Sequence, residues 1–87
     1  MMQFEGAVIK EQGVKFAVVI VKRNVIRNKA KAEDLTREFQ TVFTGLPVVL
    51  MAQDSKGVPT YYGRRDISKF MANVPLEAVP WKKYTIR

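Results

Sequence analysis

The run Val14-Lys15-Phe16-Ala17-Val18-Val19-Ile20-Val21 is apolar everywhere except Lys15 and rich in β-branched side chains. Alternate residues of a strand point to opposite faces, so a strand of this composition has to be buried on both. In a chain of 87 residues there is material for one core only. The remaining elements, or a second copy of the chain, must therefore supply both covers.

The flanking pattern is regular. Phe4 to Lys10 is strand-like and joins the apolar run through Glu11-Gln12-Gly13, where glycine suits the positive φ of a tight turn. Leu35, Phe39, Val42, Phe43 and Leu46 recur at helical spacing and share one face. Glu33 and Asp34 suit that helix's first turns, and Thr44-Gly45 with Pro47 ends it. Val48–Ala52 and Val58–Tyr62 form a second hairpin around Asp54-Ser55-Lys56-Gly57. Pro59 cannot donate to a ladder, which puts its strand at an edge or the proline at the strand's start. Ile67, Phe70, Met71 and Val74 mark a short second helix, with Asp66 at its start and Pro75 closing it. The tail through Trp81–Ile86 either adds an edge strand or drapes over the core.

The predicted order is thus β-β-α-β-β-α plus a tail or edge strand, in a single α+β domain over residues 1–87. Hairpins followed by helices point to a small antiparallel sheet with both helices on one face. Such a layout leaves the second side of Val14–Val21 bare beyond what a short tail covers. Self-association as a homodimer through that face is the expected remedy.

Composition excludes more than it selects. The chain has no cysteine and no histidine, so disulfides, thiolate zinc sites, thiol nucleophiles and His-based general bases are all ruled out. Neither a metal nor a cofactor is expected. No apolar stretch is long enough for a signal or a membrane span, so the expected setting is the cytoplasm, with no membrane partner. The carboxylates fall in turns and at helix starts, where capping and backbone hydrogen bonding account for them. None sits inside an apolar run that would raise its pKa, and no glycine-rich phosphate loop appears. The chain therefore reads as a non-enzymatic protein.

The positive signal is charge. The net charge is +7, and it is uneven: residues 1–32 carry seven bases and two acids, 33–63 two and four, and 64–87 six and two. An excess of this kind attracts anionic partners without sequence preference, nucleic acid first. Lys22, Arg23, Arg27, Lys29 and Lys31 lie in a connector free of acids, and Arg64, Arg65 and Lys69 follow the pair Tyr61-Tyr62. Trp81 and Tyr84 bracket Lys82 and Lys83. Aromatics among bases are what non-specific single-strand binders use. The residues expected to hold an anion are Lys22, Arg23, Arg27, Lys29, Arg64 and Arg65.

The string Tyr61-Tyr62-Gly63-Arg64-Arg65 resembles the second half of the paired tyrosine and glycine signature of GIY-YIG nucleases, in which a strand ending in glycine precedes a basic helix. The signature's first half and the family's metal-ligand glutamate have no counterpart. The string is therefore read as an edge strand, one tyrosine inward and one outward, followed by a helix start. The expected function is a small binding or interaction domain touching nucleic acid or another anion. The alternative is a structural or adaptor domain for a protein partner, with the charge serving solubility.

Overall fold

The computed structural model describes residues 2–11 and 13–86, with the side chains of residues 2 and 86 excepted. Strand β1, Met2–Glu11, turns back into β2, Val14–Ile20, as an antiparallel hairpin pairing Glu11 with Val14 and Gly6 with Val19. Gly13 takes a φ of 79° in this turn; Gln12 lies outside the described residues. The basic connector is itself helical: α1, Arg23–Arg27, runs into α2, Lys29–Val42. A second hairpin follows, β3 (Val48–Gln53) and β4 (Pro59–Tyr62), then α3 (Arg65–Ala72), a 3-10 turn at Leu76–Ala78, and β5 (Lys82–Ile86).

The α+β class holds; the β-β-α-β-β-α succession is matched only roughly, since two helices stand where one was expected and a 3-10 turn follows α3, and the tail is the edge strand. The sheet is mixed, however, and not antiparallel throughout. Its order is β4-β3-β2-β1-β5, with β2 and β3 parallel, Ala17 opposite Val48 and Ile20 opposite Met51. Parallel neighbours need a crossover, and α1 with α2 provides it. The connection from β4 to β5 spans the sheet from edge to edge and carries α3 with it.

This second crossover corrects the expectation that both helices share one face. Ala17, Val19, Val48 and Leu50 pack with Ala32, Phe39 and Phe43 under α1 and α2. Phe16, Val18, Val49 and Met51 pack with Ile67, Met71 and Val79 under α3 and the 3-10 turn. Both sides of β2 are closed within one chain, so the bare face that called for a second copy does not exist.

Local details follow from these contacts. On the first face Phe4 lies 4.7 Å from Phe39 and stacks on Tyr84 at 5.1 Å, with interplanar angle 11°. Such aromatic pairs add about 0.5–1.5 kcal/mol each beyond their burial. They close over Gly6, where a Cβ would stand 2.9 Å from the Val18 carbonyl oxygen. On the second face Phe16 meets Phe70 edge-on at 6.2 Å. Helix α2 begins a turn earlier than its acids suggest: Asn28 caps it, accepting from the Lys31 amide at 3.2 Å, so Glu33 and Asp34 fall beyond the first turn. Val42, at the helix's last residue, is exposed and not part of the core stripe.

Candidate anion-binding surface

The cationic surface is built by the exit from β2. The Val21 amide still donates to the Met51 carbonyl at 2.8 Å, extending the parallel ladder by one residue. Lys22 is extended and starts α1, whose half-buried Val25 and Ile26 face the core of the first face. Turning those two inward turns Arg23 and Arg27, one helical turn apart, outward. Asn28 ends α1 and starts α2 at a single bend, with Lys29 and Lys31 just beyond it. Lys22, Arg23, Arg27, Lys29 and Lys31 are all exposed.

Arg23 and Arg27 border a depression of about 300 Å³ with Ile26, Ala52, Asp54 and Thr60. It sits where the parallel strands β2 and β3 end, between α1 and the second hairpin. Asp54 is the one acid there, and it is occupied in building the hairpin turn. One of its carboxylate oxygens accepts from the Val58 amide at 3.0 Å and from the Lys56 amide at 2.8 Å. Those two bonds, with the nearby Arg23 charge as a smaller contribution, hold its pKa below the usual aspartate value. Asp54 is thus ionised at neutral pH and offsets part of the arginine charge. Thr60 adds a hydroxyl that the sequence reading missed; the hairpin register, which sets Thr60 opposite Ala52, is the signal that places it.

Arg64 and Arg65 stand elsewhere. They open α3, whose core residues Ile67 and Met71 lie on the second face, opposite α1. Arg64 Nε and Nη2 donate to the two Asp66 carboxylate oxygens at 3.2 and 2.7 Å. This bidentate bond lowers the Asp66 pKa and raises that of Arg64. Much of the Arg64 charge is balanced locally, and the neighbouring hollow of about 160 Å³ contains two carboxylate residues, Glu11 and Asp66. The six expected residues therefore divide: Arg23 and Arg27 border one depression, with Lys22 and Lys29 exposed beside them along the chain, while Arg64 and Arg65 lie at the start of α3 near Asp66.

The aromatics are also committed to packing. Tyr61 and Tyr62 are each half-buried, one on each face of β4, so neither is the outward one of the pair. Tyr62 borders Glu33, Thr36 and Arg37 on α2. The Trp81 indole N–H donates to the Leu76 carbonyl at 3.1 Å, and Tyr84 is held against Phe4 and Phe43. Each of these rings therefore offers only part of its surface to a stacking base.

Among the described residues no group of three or more carboxylates is placed to hold a metal ion, and no helix is long and apolar enough to cross a membrane. No known protein family, no curated protein and no solved structure matches the chain.

Proposed function

We propose that this chain is a small non-enzymatic binding domain that contacts the phosphate backbone of nucleic acid through the bend joining α1 and α2. One observation carries the reading: Lys22, Arg23, Arg27, Lys29 and Lys31 are all exposed around one bend, and no acid lies between residues 22 and 32. Contacts of this kind position a backbone and carry no sequence preference. The reading is one of non-specific attachment, because exposed lysine and arginine attract phosphate irrespective of sequence and the chain shows no recognised base-reading motif.

The test is retention on heparin and on bulk DNA at low and moderate salt. Four phosphate contacts give an affinity that falls roughly a hundredfold between about 50 and 200 mM salt. Exchanging Lys22, Arg23, Arg27 and Lys29 together for glutamine should abolish most of that dependence. Absence of salt-dependent retention points instead to a domain whose partner is another protein and whose charge serves solubility.

A further inference from the structure

The two edges of the sheet are unequally protected. At one, β4 is four residues long, starts with Pro59, which has no amide hydrogen, and has α1 and α3 packed against it. At the other, β5 pairs with β1 alone and ends the sheet among the described residues. Its outer backbone donors and acceptors face solvent, the surface that strand addition uses. The strand is also held extended in advance. Tyr84 stacks on Phe4 at 5.1 Å and meets Phe43 edge-on at 5.3 Å, and Trp81 is pinned to Leu76 just before the strand begins. A preformed edge lowers the ordering cost of a partner.

Charge selects the partner. Lys82 and Lys83 are exposed, and as neighbours in a strand they point to opposite faces; β5 carries no acid. Lys83 lies opposite Glu5, but Lys82 lies opposite Gly6 and has no carboxylate across the ladder. Carboxylates on an added strand meet a lysine whichever face they point to. A second copy of β5 brings the same lysines and no acid, so charge favours an acidic segment over self-pairing.

We infer that the outer edge of β5 accepts an extended acidic segment of another protein as an additional strand. This surface is separate from the α1–α2 bend. The probe is a synthetic peptide of about nine residues alternating glutamate with valine, titrated into the isotope-labelled chain, with amide hydrogen exchange as the readout. Saturable binding is expected, with the outward amides of β5 exchanging at least about tenfold more slowly at saturation. Glutamine in place of glutamate in the peptide, or the double exchange Lys82→Glu with Lys83→Glu, should weaken binding about tenfold at low salt. The chain neutralised at Lys22, Arg23, Arg27 and Lys29 should bind the peptide as the parent does, which separates this edge from the proposed nucleic-acid surface. Absence of binding would mean that the lysines only guard the edge, and the inference fails. It also fails if the peptide binds without protecting β5, or if protection rises with chain concentration alone, which would assign the edge to a second copy.

Discussion

Met71 is the residue whose truncation probes the closed second face most directly. It is fully buried on α3, among Phe16, Val18, Val49, Met51 and Ile67. Met71→Ala removes a buried side chain and leaves a hole that this sheet-backed site cannot easily collapse. Comparable buried substitutions cost about 2–5 kcal/mol. A chain of this size has about 4–13 kcal/mol of stability in all, so the variant loses a large share of it. With a urea dependence of about 1.5 kcal/mol per molar, a loss of about 3 kcal/mol lowers the midpoint by about 2 M. Equilibrium urea unfolding followed by Trp81 fluorescence measures it. Val58→Ala serves as the control, since Val58 is 56% exposed and its truncation should cost under about 0.5 kcal/mol. A cost below about 1 kcal/mol for Met71→Ala would refute the claim that α3 seals this face.

Three further outcomes follow from particular contacts. Gly63 has a φ of 153°, and a Cβ there would meet Val49 Cγ2 at 2.9 Å and the Val48 carbonyl oxygen at 3.2 Å; Gly63→Ala should cost about 1–3 kcal/mol in thermal or urea unfolding, and an unchanged midpoint would show that the end of β4 relaxes freely. Because the Asp54 pKa is depressed by the Val58 and Lys56 amides, its stabilisation is complete above the ordinary aspartate pKa and is lost as pH falls through the lower folded-state value. Asp54→Asn, which cannot titrate, should flatten that part of the acid unfolding profile, and an unaltered profile would assign the acid sensitivity elsewhere. Ser68 Oγ and Tyr61 Oη are buried without a hydrogen-bond partner among the described residues; Ser68→Ala and Tyr61→Phe should each leave stability unchanged or raise it by up to about 1 kcal/mol, and a clear loss in calorimetry would reveal a bond to ordered water.

The parts of the fold that were readable in the sequence are those with a local cause. Gly13 marks the first turn, Asp54 to Gly57 the second, and the Leu35/Phe39/Phe43 spacing the long helix. The apolar run of β2 already required cover on two faces, and the structure meets that requirement from Phe16 onward, while Val14 at the strand's start is exposed. What remained hidden was where the cover comes from. A parallel pairing between Ala17 and Val48 leaves no mark on either strand beyond apolar character, which a central antiparallel strand shares. Helix α1 shows only Val25 and Ile26 as apolar positions, too few to display a period, so the segment read only as a basic connector. The short turn at Leu76–Ala78 lies between Pro75 and Pro80 and has no periodicity to read. The division of the basic residues has the same origin. Lys22 to Lys29 are neighbours in sequence and stay together, whereas Arg64 and Arg65 depend on which face α3 chooses.

The proposed function stands or falls on the salt dependence of DNA affinity. Binding of a fluorescent oligonucleotide is followed across salt concentrations for the parent chain, for the Lys22, Arg23, Arg27 and Lys29 quadruple glutamine variant, and for an Arg64→Gln, Arg65→Gln pair. Four phosphate contacts predict a log–log slope of about −3 to −4 for the parent. The quadruple variant should lose most of that slope, while the Arg64 and Arg65 pair keeps most of the parent's. Equal slopes for all three proteins, or a parent without measurable affinity at low salt, would contradict the assignment of the α1–α2 bend as a phosphate-contacting surface.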